Sequence, residues 1–142
     1  MTAIALIRMK GLFSMPPKMR GALESFKLSR LYACTLVNTD DSTKGMIQCC
    51  KDVVSYGEVD KETVTLLLTK RGKKLDGKRL TPEEAKKAAD EFMAGKKLSA
   101  TGVSSVFYLS PPKGGIGERK LHVPFGPLGK NPEIMDLISR MA

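Results

Sequence analysis

Three short apolar runs in the first 60 residues, at 3–9, 31–37 and 55–59, alternate with two stretches of helical periodicity, and this order constrains the fold more than any other feature. The run Ala3, Ile4, Ala5, Leu6, Ile7 is continuous rather than alternating and stops by Gly11. A strand covered on both faces reads this way, so the run predicts a central strand. After it, Pro16 and Pro17 follow Ser14 at a helix start, and Met19, Ala22, Leu23 and Phe26 lie at helical spacing. The cluster Asn38, Thr39, Asp40, Asp41, Ser42 supplies a turn and an N-cap for a second helix, with the stripe Met46, Cys49, Cys50 and Val53. Strand, helix, strand, helix, strand predicts an α/β (α+β) unit over residues 1–60, with right-handed crossovers and helices packed on a sheet.

Residues 61–142 are expected to pack on that core as a helical and C-terminal extension. Asp60 caps a third helix through Lys70, bearing Val64, Leu67 and Leu68 and closed by Arg71 and Gly72, where glycine suits a left-handed stop. Thr81, Pro82 and Glu84 form a capping-box signature ahead of the small stripe Ala85, Ala88, Ala89 and Phe92, which ends near Gly95. Residues 103–109 read as a further strand, broken by Pro111 and Pro112. Residues 113–130 are too rich in glycine, proline and charge for a regular element. Asn131, Pro132 and Glu133 open a last helix with Ile134, Leu137, Ile138 and Met141 at core spacing.

With 142 residues, 42% of them hydrophobic, the chain can bury a core without disulfides or a metal. Lys and Arg number 24 against 15 Asp and Glu, a formal charge of +9 that suits a polyanionic partner, nucleic acid first. One His, three Cys and no Trp are a poor inventory for metal ligation or acid–base chemistry, so neither enzyme, cofactor nor metal is expected. An odd cysteine count, with Cys49 and Cys50 adjacent in a helical stretch, points to a reducing, intracellular compartment. The N-terminus lacks the basic lead-in of a signal peptide, and no apolar run approaches the length of a membrane span, so a soluble, cytoplasmic protein is expected.

The cations sit at element ends and in loops: Arg8, Lys10, Lys18, Arg20, Lys27, Arg30, Lys44 and Lys51, then Lys70, Arg71, Lys73, Lys74, Lys78 and Arg79, with only Asp76 against this last run. The run is expected to be an exposed basic loop. Lys44 and Lys51 are spaced to leave one helix face together, and Arg20 and Lys27 repeat the spacing. Lys113, Arg119, Lys120 and Lys130 flank Gly114, Gly115 and Gly117, which permit backbone to approach a phosphate. These cations other than Lys78 and Arg79, together with Gly114 and Gly115, are the candidate RNA-binding residues. The glycine segment follows two prolines and opens no helix, so it is no dinucleotide fingerprint, and Gly129-Lys130-Asn131 lacks the Ser or Thr of a P-loop. Tyr32, Tyr56 and Phe107 read as core or sheet-face residues, His122 as a packed or solvent-edge residue, and Cys34 as a buried, protonated thiol. Two rivals remain. A free-standing RNA-binding module of the same shape needs aromatics along its inner strands, which are missing. A small acyl-phosphate hydrolase would use Arg20 and Asn38 around the first loop, where Met15, Pro16 and Pro17 make poor anion-loop material.

Several short matches occur in the order of one family: residues 4–8, then Leu28, Ser29, Arg30, Leu31, then residues 40–46 with Gly45 before Met46. Gly57, Glu58, Val59, Asp60, then Lys70, Arg71, Gly72, and Pro111, Pro112, Lys113, Gly114, Gly115 continue it. Together they resemble the large-subunit ribosomal proteins called L-thirty in archaea and bacteria and L-seven in eukaryotes. The segment after Asp60 is similar to the archaeal and eukaryotic form; Asn38-Thr39-Asp40 stands where the family usually has Pro before Asp. The resemblance implies a non-enzymatic structural component of the large ribosomal subunit with a ferredoxin-like core. It implies binding to ribosomal RNA near the 5S particle, beside other ribosomal proteins.

Overall fold

A computed structural model describes residues 2–142 apart from Leu12, Ile116, Gly117, Arg119 and Pro124, so the expectations placed on Gly117 and Arg119 lie outside the described residues. The strands are β1 (Ala3–Arg8), β2 (Ala33–Asn38), β3 (Val54–Glu58), β4 (Val106–Tyr108) and β5 (Gly129–Lys130), and the sheet order is β4-β2-β1-β3-β5. The helices are α1 (Pro17–Ser25), α2 (Asp41–Cys50), α3 (Lys61–Arg71), α4 (Pro82–Met93) and α5 (Ile134–Met141), with a 3₁₀ turn at Leu98–Thr101. The whole is a ferredoxin-like α+β fold.

The apolar run is the central strand, antiparallel to both neighbours, with Leu6 opposite Thr35 on one side and Tyr56 on the other. Connection β1–α1–β2 therefore joins antiparallel strands, and the crossover rule for parallel strands does not govern it. Only β2–α2–β3 links parallel strands, and it passes over β1. Alternation along β1 feeds two layers. Ala3, Ala5, Ile7 and Met9 join Cys34, Leu36 and Phe107 beneath the apolar stripes of α3, α4 and α5. Leu6, with Ala33 and Val54, faces Ala22 and Leu23 of α1, Phe26, and Ile47 and Cys50 of α2. In α2 the stripe is rotated from that expected: Ile47 is buried, and Met46 and Cys49 are only partly covered.

Helix ends follow the sequence unevenly. Thr81 and Glu84 make both bonds of the capping box: the Glu84 N–H donates to Thr81 Oγ1 and the Thr81 N–H to Glu84 Oε2. Asp40 and Asp60 occupy N-cap positions without a side-chain cap bond. Gly72 is not left-handed; it is extended, at φ −65° and ψ 138°. It is needed for space, since a Cβ there would collide with the Leu68 carbonyl and with Leu80. Residues 103–109 split: Val103 bridges to Lys74, and only Val106–Tyr108 pairs with β2. Ser104 lies at the break, its N–H donating to the Lys73 carbonyl at 2.9 Å. The irregular stretch hides β5, two residues parallel to β3.

α5 lies across β3 at Gly57, where a Cβ would stand 2.5 Å from the Asn131 carbonyl and 2.8 Å from Ile134. Its four stripe residues are all buried, with Leu137 2% exposed. Leu137→Ala is expected to cost about 2 to 5 kcal/mol in denaturant-induced unfolding. A negligible loss would mean that α5 is not part of the cooperative core.

Candidate nucleic-acid interface

The sequence reading treats Arg8 as a surface cation, and the structure corrects it. Arg8 is 1% exposed, its Nη1–H donating to the Leu28 carbonyl at 2.7 Å and its Nε–H to the Lys10 carbonyl at 2.9 Å. Burial pulls its pKa below the ordinary arginine value. Arg8 thus clamps the end of β1 to the α1–β2 connection, and its side chain becomes part of the back wall of a cleft.

That cleft, of about 750 Å³, lies between α1, the α1–β2 connection and β4. Arg20, Lys27, Ser29, Ser104 and Tyr108 line it, with Glu24 as a carboxylate among them. Arg30 stands at its side, its guanidinium carbon 5.2 Å from the Tyr108 ring centroid, a cation–π distance. Arg20 and Lys27 do not share a helix face as the spacing suggests, because α1 stops at Ser25. Lys27 lies beyond it at φ 58°. Its N–H donates to the Glu24 carbonyl and the Leu28 N–H to the Leu23 carbonyl, the Schellman closure whose left-handed position is usually glycine. α4 makes the same closure with Gly95 at φ 101°. Lysine at this position strains the backbone, and the residue lines both this cleft and the groove on its other side, beside Thr35 and Asn38.

Ser104 joins the cleft to the basic run. Residues 73–79 form a tight hairpin, not an open loop: Lys73 bridges to Arg79, and the Lys74 N–H donates to the Lys78 carbonyl at 2.7 Å. Lys70, Lys73, Lys78 and Arg79 are exposed. Lys74 is engaged internally, its Nζ 2.7 Å from Glu84 Oε1, and Arg71 Nη2 donates to Ser110 Oγ at 2.5 Å. The Arg71 bond brings residues 110–115 alongside. Lys113 is exposed there, Gly114 and Gly115 have φ of 80° and 76°, and Arg140 Nη1 binds the Lys113 and Gly115 carbonyls. Cleft, hairpin and glycine loop are therefore contiguous.

Other candidate cations lie apart. Lys18 is exposed on α1 and Lys10 half-buried after β1. Lys44 pairs with Asp41 at 3.6 Å, Lys51 is exposed at the end of α2, and Lys130 sits on β5, the sheet edge opposite β4. Lys120 is exposed near His122, whose Nε2 is 2.9 Å from Asp52 Oδ1. Sequence reasoning misses Tyr108 and Arg140: one follows Phe107 in a strand, the other sits on a helix whose stripe drew the attention. Asn38 and Arg20 are not brought together as the hydrolase reading requires. Asn38 donates to the Gly95 carbonyl and lines a separate groove. Cys34 is fully buried and its thiol is pushed up to about 12, so it is protonated at neutral pH.

A ferredoxin-like sheet with cations gathered along the β4 edge defines the class, a small basic α+β protein. The family described as Ribosomal protein L30p/L7e matches residues 4–54. The large ribosomal subunit protein uL30 of Methanothrix thermoacetophila is 34% identical over 148 residues, covering 96% of this chain and 98% of that protein. The uL30 of Archaeoglobus fulgidus is 35% identical over 91% of this chain and 92% of its own, and that of Thermofilum pendens 36% identical over 82% and 81%. The chain belongs to the L30p/L7e family of ribosomal proteins.

The hydrogen bond from Lys74 and the Thr81 N–H hold the Glu84 carboxyl down at about 2. That lies below an unfolded value of about 4.3. The stabilisation is complete above the unfolded value and is lost as pH falls through the folded one. Glu84→Gln is expected to flatten the stability profile between about pH 4 and pH 2, read by denaturant midpoints; a superimposable acid limb would remove the pair from the account. Lys27→Gly is expected to relieve left-handed strain of about 1 to 2 kcal/mol, less the extra freedom glycine gives the unfolded chain, for a net gain near 1 kcal/mol. Denaturant midpoints check this, and a destabilised variant would contradict the strain assigned to Lys27.

Proposed function

We propose that this chain is a non-catalytic structural constituent of the large ribosomal subunit, in the cytoplasm and bound to the ribosome. It holds folded ribosomal RNA against the cleft, the 73–79 hairpin and the 110–115 loop. The observation that carries the reading is the likeness, over nearly the full chain, to archaeal large ribosomal subunit proteins. Exposed cations along one continuous edge support the RNA partner. The sheet and its two helical layers make a rigid base, and Arg20, Lys27, Lys73, Lys78, Arg79 and Lys113 reach phosphates by shape and charge. Glycine backbone at 114 and 115 lets a strand approach closely. 5S RNA and adjoining ribosomal proteins are the neighbours this reading implies.

Each phosphate neutralised releases condensed counterions, so binding weakens steeply with salt. The protein is expected to co-sediment with large subunits in moderate salt and to leave them in high salt. Lys73→Ala, Lys78→Ala and Arg79→Ala combined are expected to lower the salt slope for RNA binding by roughly 2 to 3, at about 0.7 to 0.9 per contact, without unfolding the chain. An unchanged slope would take the hairpin out of the interface, and absence from large subunits at every salt concentration would overturn the reading.

A further inference from the structure

The cleft beside Tyr108 is poorly matched to phosphate alone. One phosphate would leave most of its 750 Å³ empty, and Glu24 on its wall repels a second. Tyr108 is 46% exposed, whereas Phe107 is buried and Tyr56 packs against the α1–α2 layer. An aromatic face is thus presented in a cleft that also holds two cations. Arg30 lies against the same ring and fixes it on one side. The Glu24 carboxylate is an acceptor for the ring N–H or amino group that every base offers, and Ser29 adds a hydroxyl. These groups match the parts of one nucleotide: a flat ring, polar edges and phosphates on either side.

We infer that the cleft receives a single unpaired nucleotide of the bound RNA, its base stacked at the Tyr108–Arg30 pair and its flanking phosphates on Arg20 and Lys27. This rests on the RNA-binding reading and adds to it a subsite that senses a base outside the helix. Stacking tolerates any base, because each has a π face, so the subsite selects for an extruded nucleotide rather than for a sequence. Backbone strain at Lys27, at φ 58°, lies in the wall of the same cleft, as is common where a site is held in shape.

Two RNA hairpins with one stem test it, the first with a single bulged 2-aminopurine and the second with an abasic ribose in its place. The full-length protein is expected to bind the first about tenfold more tightly and to change its fluorescence on binding. Tyr108→Phe is expected to keep the preference; Tyr108→Ala is expected to lose it. Equal affinity of the wild type for the two hairpins, or a preference that survives in Tyr108→Ala, would overturn the subsite and leave the RNA-binding reading standing. The wild-type comparison decides even if Tyr108→Ala fails to fold. No salt-sensitive binding to either hairpin would overturn both readings.

Discussion

β1 has a packed layer on each face, and most of the architecture follows from that. Its side chains alternate between Ala5 and Ile7, under α3, α4 and α5, and Leu6, under α1 and α2. A one-residue slip would exchange the two sets, so the register against β2 and β3 is fixed by volume on both sides. The small residues Ala3 and Ala5 face the side that must accommodate three helices. At the far end of the strand stands Arg8, a charge that burial would penalise heavily without partners. Two carbonyls satisfy it, and in doing so they fix the chain from Lys10 and Leu28 around the cleft. The position of the candidate interface is thus set by the needs of the central strand.

The surplus positive charge divides into two populations. Arg8, Arg71, Lys74 and Arg140 are tied to carbonyls, hydroxyls or carboxylates of the chain itself and hold loops in place. Arg20, Lys27, Lys73, Lys78 and Arg79 are exposed, with no ion pair among the described residues. The first group positions the second: Lys74 on Glu84 anchors the hairpin that carries Lys73 and Lys78, and Arg71 and Arg140 hold the segment that carries Lys113. Net charge alone does not make this distinction.

The sequence makes some elements plain and conceals others for physical reasons. Elements whose signal is local periodicity are legible: the continuous run of β1, the Ala85-Ala88-Ala89-Phe92 stripe behind its capping box, and the Ile134 to Met141 stripe. Features set by a distant contact are not. Gly72 reads as a helix stop, but its requirement comes from the Leu68 carbonyl and Leu80. Residues 103–109 look like one strand because nothing local reveals that the hairpin takes Val103 and leaves the rest to β2. The pairing of Gly129 and Lys130 with β3 is two residues long and has no pattern to betray it. At the site, the basic run was visible as charge, but which of its members are occupied internally depends on Glu84 and Ser110. Arg8 reads as a surface cation because an apolar strand ending in a cation looks like a strand reaching water.

The separation along the chain of the two layers over β1 has a consequence for synthesis. α1 and α2 lie within the first 50 residues and can cover Leu6 as soon as the first three strands pair. The opposite side, with Ala5, Ile7, Cys34 and Leu36, waits for α3 and α4 and is closed only by α5, at the C-terminal end of the fold. While the chain is emerging, half of the sheet is bare and apolar, a surface on which unfinished chains associate. The closing helix therefore sets the moment at which the nascent protein ceases to need protection.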